Sequence, residues 1–269
     1  MPVFVSKFGG TSLSTGERFL NAWDIVSSDP NRRFVVVSAP GKRFRSDEKI
    51  TDLLMECAES QKRAAFEEIR SRFLHIASIA GVFIREELDA CEEEIFSLSS
   101  KAHAASRGEF LSAKIFAKLS GFSFLDAKDA VFFKDGKIDE EKTGSAILKV
   151  FQRESKIVMP GFYGADEKGS IVLFPRGGSD TSGAIAACAI RADMYENWTD
   201  VDGVFDKDPN FHTDAKPLSF LTYDETERIL DKGAAVLHPE ALFWARKNKI
   251  PIHVRNTFHP HLSGTKIGQ

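Results

Sequence analysis

Two segments of the chain set a short β-rich run directly before paired glycines and hydroxyl residues. In the first, Val3-Phe4-Val5 leads into Lys7-Phe8-Gly9-Gly10-Thr11-Ser12. Glycines let the backbone approach a ligand closely and turn N–H groups toward an anion. A helix starting there would add its positive end, and Lys7 sits where its ammonium reaches the same anion. Taken alone, this segment reads slightly more simply as a tight turn with a surface lysine. It is not a P-loop, which needs GxxxxGK followed by Ser or Thr; Ser38-Ala39-Pro40-Gly41-Lys42 does not fit that pattern either. The second segment, Arg176-Gly177-Gly178-Ser179-Asp180-Thr181-Ser182-Gly183, follows a run from Ile171 to Phe174 and opens an Ala-rich helical pattern. Ser179, Asp180 or Ser182 could each cap that helix, worth about 1 kcal/mol. Capping accounts for one polar side chain and not for the group. Two such units in one chain fit two anions, or two ends of one polyanion. Phosphoryl transfer needs that arrangement, because its transition state spreads charge over several oxygens.

A third group runs from Trp198 to Pro209 as WTDVDGVFDKDP. Its plain reading is an acidic turn. Its aspartate spacing is like that of a calcium loop, but the terminal Glu and flanking helices of an EF-hand are missing. A ribose or Mg-nucleotide site is the sharper alternative.

The elements that must position these groups follow from periodicity. Strands are expected at Val3–Val5, Phe34–Val37, Ile157–Met159, Ile171–Leu173 and Ile250–Val254, the last with Pro251 marking an edge or an end. Helices are expected at Glu17–Val26, capped by Ser14 or Thr15, and at Thr51 to about Leu74, Glu86–Ala105, Phe110–Leu119 and Ser182–Ala192. Strands alternating with helices predict an α/β sandwich around a largely parallel sheet. Asp47–Ser106 has few β-formers and reads as a helical insertion over one end of the sheet, and DGKIDEEK at Asp135–Lys142 as a solvated turn or hairpin. No tandem repeat and no Pro/Gly/Ser-rich linker interrupts residues 1–269, so one continuous domain is expected.

Composition narrows the classes. The 269 residues are 42% hydrophobic and 28% charged, enough apolar material for a packed core. A net charge of -3 is too balanced for a chain whose main task is gripping nucleic-acid phosphates. Cys57, Cys91 and Cys188 are scattered and odd in number, which argues against a disulfide framework or a structural zinc site. No window suits a membrane span, and the N-terminus has neither the basic nor the long apolar region of a signal peptide, so a cytoplasmic location is expected. The 23 Phe against three Tyr and three Trp have no functional account.

In order along the chain stand KFGGTS (Lys7–Ser12), VVVSA (Val35–Ala39), RGE (Arg107–Glu109), RGGSD (Arg176–Asp180), WTDVDGV (Trp198–Val204) and VLHP (Val236–Pro239). Each motif is weak alone; the ordered set resembles the catalytic domain of aspartokinases, within the amino acid kinase superfamily, from Val3 to about Thr265. The resemblance implies an α/β fold, a three-layer αβα sandwich with a mostly parallel central sheet, and ATP- and Mg²⁺-dependent phosphorylation of the β-carboxylate of L-aspartate. It places the amino acid in the N-terminal half and the nucleotide in the C-terminal half. It implies that Lys7 neutralises the transferring phosphoryl group, with N–H contacts from Gly9 and Gly10, and that Asp180 orients that lysine. It assigns Arg176 to the substrate α-carboxylate, where a guanidinium fork suits a planar anion. Glu109 would face the substrate ammonium, and Ser38 and Thr51 would line the same pocket. Ser179 would be a phosphate contact or a cap. Thr199, Asp200 and Phe205 would form the nucleotide loop, Phe205 replacing a common tyrosine. No protein metal ligand is expected, Mg²⁺ being held through ATP phosphates. Homodimers are the oligomers implied.

Residue by residue, plainer readings stand beside these. Without the resemblance, Glu109 would be a surface carboxylate on an amphipathic helix, Arg107 a neighbour and His238 structural. Two departures matter. Ala235 stands where many aspartokinases have the lysine of GAKVLHP, so Lys207 or Lys232 is the candidate replacement. The chain ends soon after Arg255-Asn256-Thr257, without the ACT domains that bind lysine or threonine, so neither amino acid is expected to inhibit it. The competing readings are a glutamate or acetylglutamate type of kinase and a nucleotide-binding regulatory protein that has lost catalysis.

Overall fold

The computed structural model describes residues 1–98, 100–175, 177–207, 215–231 and 236–269. In chain order its strands are β1 (Phe4–Phe8), β2 (Arg32–Val37), β3 (Ser123–Phe124), β4 (Phe133–Lys134), β5 (Lys137–Ile138), β6 (Ile157–Pro160), β7 (Tyr163–Ala165), β8 (Ile171–Leu173), β9 (Met194–Thr199), β10 (Phe220–Thr222), β11 (Ile252–Asn256) and β12 (Thr265–Gly268). The helices are α1 (Gly16–Ser27), α2 (Ile50–Ser60), α3 (Arg63–Ile79), α4 (Arg85–Leu98), α5 (Lys101–Ser120), α6 (Glu140–Glu154), α7 (Gly178–Ala189), α8 (Tyr223–Asp231) and α9 (Pro239–Asn248).

Eight strands form one sheet in the order β10-β12-β11-β9-β1-β2-β6-β3. Every neighbouring pair from β11 to β3 is parallel, while β12 runs antiparallel to β11 and carries β10 beside it. The strands are buried on both faces, and the period-2 alternation divides their side chains. Phe8, Val35, Val37, Val158 and Trp198 enter a cluster with α1 to α5. Val5, Phe34, Val36, Met159 and Tyr195 enter a second cluster with α7 and α9. This is the α/β sandwich expected from the alternation of elements, with the three layers that the resemblance implies.

Several local expectations change. The helix expected from Thr51 to Leu74 is two, because Gln61 turns left-handed (φ 53°) and its N–H closes on the Cys57 carbonyl at 3.1 Å. The stretch Glu86–Ala105 is likewise divided, and the second piece runs on through Phe110–Leu119 as α5, capped by Ser100 Oγ accepting from His103 N at 3.3 Å. The insertion from Asp47 packs on α1 and α5 rather than on the sheet, extending their cluster into a second helical layer. Ile171–Leu173 leaves the main sheet and pairs with β7 as a separate antiparallel hairpin. Pro251 precedes β11, which lies between β9 and β12 and is not an edge. Asp135-Gly136 makes the turn of the β4–β5 hairpin, while the acidic end of that segment opens α6. Thr15 is the cap of α1, accepting from Arg18 N at 3.4 Å. The second glycine segment begins its helix at Gly178, not Ser182, with Gly177 at the cap position, so none of Ser179, Asp180 and Ser182 serves as the cap.

Candidate active site

The chain passes from β1 to β2 on one side, whereas β9 and β11 lie on the other. Ligands of open parallel sheets bind at such a reversal, beyond the carboxyl ends of the strands. Lys7 stands near that end of β1, and its Nζ meets Asp180 Oδ1 at 2.5 Å. Asn197, directly opposite on β9, offers Oδ1 to the same Nζ at 3.4 Å. The two glycine segments thus converge on one ion pair.

Asp180 is itself fixed. Its Oδ2 accepts the His238 backbone N–H at 3.2 Å, and its carbonyl accepts the Tyr195 hydroxyl at 3.0 Å. His238 caps α9, its Nδ1 accepting from Glu240 N at 3.4 Å, which is a structural role. Gly177 has φ 73°, and a Cβ there would lie 2.3 Å from the His238 ring, so this turn requires glycine. Gly9 gives its N–H to the Trp198 carbonyl at 3.1 Å, so its part is backbone approach: a Cβ there would come within 3.5 Å of Lys7 Nζ. The Gly10 carbonyl accepts from Gly41 N at 2.8 Å, and a Cβ on Gly41 would reach 2.6 Å from Gly10 C.

Ser38 follows β2, bonded through its N–H to the Phe8 carbonyl at 3.1 Å, and is half-buried. Thr51 lies in the first turn of α2 and is also half-buried. The loop joining them is held from below by Arg72, which donates to the Gly41 carbonyl at 3.0 Å and the Glu48 carbonyl at 2.8 Å. Asp47 pairs with Arg43 at 2.8 Å and Arg72 at 3.3 Å; the Arg43 hydrogen bond holds its carboxyl far below the usual range. Ser179 packs under Gly161, where a Cβ would come 2.8 Å from the Ser179 side chain.

Glu109 is no surface carboxylate. It is 5% exposed, and among the described residues its Oε2 has no hydrogen-bond partner. Burial pushes it up to about 8, opposed by the Ala39 backbone N–H and more weakly by Arg107. Arg107 is more than a neighbour in sequence: it is buried and lies over the Phe110 and Tyr163 rings.

On the nucleotide side, Thr199 ends β9 and its hydroxyl donates to Asp200 Oδ1 at 3.2 Å, with Asp200 exposed. Phe205 is half-buried and bridges to Pro217, and Lys207 follows it on the surface. Arg176, Lys232 and Ala235 lie outside the described residues. Sequence reasoning missed Gly41, Asn197, Arg72 and Phe162. Phe162 is the clearest: it holds φ 76°, rare for a bulky residue, between Gly161 and β7, its N–H donating to Ser182 Oγ at 3.1 Å. The only sequence signal for it was its place between two glycines.

Comparison with known proteins fits this geometry. The model of the amino acid kinase family matches residues 2–256. Aspartokinase 3 of Bacillus subtilis is 34% identical, over 98% of this chain and 63% of its own length. Lysine-sensitive aspartokinase 3 of Escherichia coli is 30% identical, over 98% of this chain and 64% of its own. Among solved structures, the aspartate kinase of Clostridium acetobutylicum superposes with a TM-score of 0.95 at 38% identity, covering 99% of this chain and 63% of that one. E. coli aspartokinase III in complex with aspartate and ADP gives 0.89 at 28%, covering 99% and 64%. The chain therefore spans a little under two thirds of the length of these relatives. A UMP kinase from Bacillus anthracis, 16% identical with a TM-score of 0.54, shares the fold.

Proposed function

We infer that this chain, which belongs to the amino acid kinase family, transfers the γ-phosphoryl group of ATP to the β-carboxylate of L-aspartate. The observation that carries the reading is the Lys7–Asp180 pair at the sheet's reversal point, together with the buried Glu109 carboxyl on α5, whose Oε2 has no hydrogen-bond partner among the described residues. A carboxylate oxygen of aspartate attacks the γ-phosphorus, the bond to the β,γ-bridging oxygen breaks, and ADP leaves with that electron pair. The acceptor is already ionised at neutral pH, so no general base is needed. The work left to the protein is placement and charge stabilisation. Lys7 supplies positive charge to the transferring group, and Asp180 keeps its Nζ in place. A carboxylate touching the phosphoryl group would repel it, so Asp180 acts through the lysine. Glu109 offers a buried counter-charge for the substrate ammonium, which disfavours an N-acylated acceptor. Arg176 takes the α-carboxylate, Ser38 and Thr51 line its pocket, and Gly10 and Ser179 face the phosphates. Thr199, Asp200, Phe205 and Lys207 border the nucleotide.

Magnesium is handled through the nucleotide. It keeps several waters and needs one or two carboxylates beside phosphate oxygens. The exposed Asp200 suits a water-mediated contact, and among the described residues no cluster of three His, Cys, Asp or Glu side chains could hold a metal. When bound with ATP, the ion neutralises charge on the phosphates.

The test is acyl phosphate formation, trapped as the hydroxamate, with L-aspartate beside L-glutamate and N-acetyl-L-glutamate. Product with aspartate alone, lost in Lys7→Ala, is expected. Product with another acceptor reassigns the substrate. No product from protein that still binds ATP favours a nucleotide-binding protein without kinase activity.

A further inference from the structure

Four buried side-chain polar atoms have no hydrogen-bond partner among the described residues, and two of them, Glu109 Oε2 and Ser112 Oγ, sit on one helix. Residues three apart on a helix are neighbours on one face, with Cβ atoms about 5–6 Å apart. A buried helical serine normally returns its hydroxyl to the preceding turn. Ser106 does so to the His103 carbonyl at 2.6 Å and Ser182 to Gly178 at 2.8 Å. Ser112 does not, although it is fully buried.

We propose that Ser112 is a positioning residue for Glu109, its hydroxyl donating to the Glu109 carboxylate when a bound ammonium draws that group into its ionised form. This rests on the assignment of Glu109 to the substrate ammonium. Among the described residues, the groups around Glu109 supply no competing counter-ion. Arg107, two residues away on its own helix, reaches it only as a weak through-space charge, and that guanidinium is already bonded to Ser106 Oγ at 3.0 Å and lies 3.6 Å from Glu94. From β7 comes Tyr163, whose hydroxyl donates to Asp126 at 2.8 Å. From α4 come Cys91 and Glu94, on the Arg107 side. From α2 come Ile50 and Leu54, packed beside Gly108. β6 carries no titratable side chain, and the two arginines of β2 turn to Glu196 and the Ser155 carbonyl. An unliganded Glu109 therefore keeps its proton. Binding of an ammonium releases that proton to solvent, and the carboxylate left behind is the acceptor that Ser112 lacks. The proton balance is one lost per amino acid bound, in the range where Glu109 changes state.

The experiment compares wild type, Ser112→Ala and Ser112→Thr by steady-state kinetics and aspartate titration from about pH 6 to about pH 9. In the wild type, KM for aspartate falls as pH rises toward 8. Losing a hydrogen bond to a charged group raises KM in Ser112→Ala by about tenfold or more. It also moves the midpoint of the KM–pH curve to higher pH, while kcat at saturation changes by less than about threefold. Ser112→Thr, which retains the hydroxyl, restores both. A merely structural serine would alter neither the midpoint nor its rescue by threonine. Unchanged KM and midpoint in Ser112→Ala, or equal losses in Ala and Thr, overturn the proposal while leaving the kinase reading intact. A wild type that neither binds nor phosphorylates aspartate removes the kinase reading and this proposal together.

Discussion

Replacing Glu109 by glutamine should change how stability depends on pH, in a direction fixed by the environment of that carboxyl. Its folded value of about 8 lies above the ordinary 4.5 because the group is buried. Below pH 4.5 the folded and unfolded chains both hold the proton, and the group contributes nothing to the difference. Between 4.5 and 8 the unfolded chain releases the proton and the folded chain keeps it, so stability falls as pH rises, and above 8 the loss is complete. At 1.36 kcal/mol per pH unit the full loss is on the order of 5 kcal/mol. Glutamine has nearly the same shape and no proton to release. Any unpartnered amide it introduces shifts stability by about the same amount at every pH. The readout is therefore the difference between the two Tm curves, each measured from about pH 5 to about pH 9. For a chain of this size roughly 2–4 °C accompanies each kcal/mol, so Glu109→Gln should gain on the order of 10 °C relative to wild type across that range. Saturating aspartate should shrink the gain, because a bound ammonium gives the ionised carboxylate its partner. Parallel curves, with or without aspartate, would refute the account of Glu109 as a buried carboxyl without a counter-ion.

Other outcomes follow from the same contacts. Lys7→Ala and Asp180→Asn should each lower kcat by about 10²- to 10³-fold, and the double variant should be little worse than either, since they act as one unit; additive losses in hydroxamate formation would contradict the pairing. Gly177→Ala must place a Cβ against the His238 ring at φ 73°, so it should destabilise by about 2–3 kcal/mol, read in urea unfolding. Glu196→Gln leaves Arg32 without its bidentate partner and should destabilise by about 3–5 kcal/mol near neutral pH. Burial alone would raise Glu196, but the Arg32 hydrogen bonds and charge outweigh it and hold the carboxyl low, so its contribution is present above the ordinary carboxylate range and is lost as pH falls through its folded value; the gap between wild type and variant should close in acid. A chelator should stop acyl phosphate formation while leaving the circular dichroism spectrum unchanged, and added Mg²⁺ should restore it.

The sequence made the layer architecture legible wherever an apolar run alternated cleanly, as at Phe34–Val37, whose side chains divide between the two clusters. It misjudged helix ends, because breaks such as Gln61 depend on a left-handed residue that composition does not mark. It put Ile171–Leu173 among the sheet strands because a short apolar run cannot say which partner it will hydrogen-bond. For the site, the glycine segments were visible as anion cradles, but not that Lys7 would meet Asp180, which requires the parallel pairing of β1 with β9 and the packing of α7 on both. Asn197 and Ser112 stayed invisible for a simpler reason. A lone amide or hydroxyl in an apolar context carries no motif, and its meaning comes only from the neighbour it faces.

Two buried glutamates in this chain show how environment, not residue type, sets the role. Glu196 lies on the face of β9 turned toward α1, where Arg32 grips it with two bonds at 2.7 and 3.0 Å. Ser6 Oγ and Trp198 Nε1 add donors at 2.7 and 3.0 Å, and Arg255 approaches to 3.7 Å. Every lone-pair direction is answered, the group stays ionised, and no ligand is needed to complete it. Its work is to tie β1, β2 and β9 together beneath Lys7. Glu109 lies at a similar depth on α5 and is denied that treatment, with one oxygen meeting no donor among the described residues. A fold able to surround one carboxylate with arginines, a serine and an indole has the means to satisfy another. Leaving Glu109 open raises the free energy of the unliganded state, and in the role proposed for it a bound ammonium would recover that energy. The stability lost at Glu109 and the affinity gained for an amino group are then the same quantity measured in two experiments. A variant that recovers the stability without losing the affinity would separate them and break the argument.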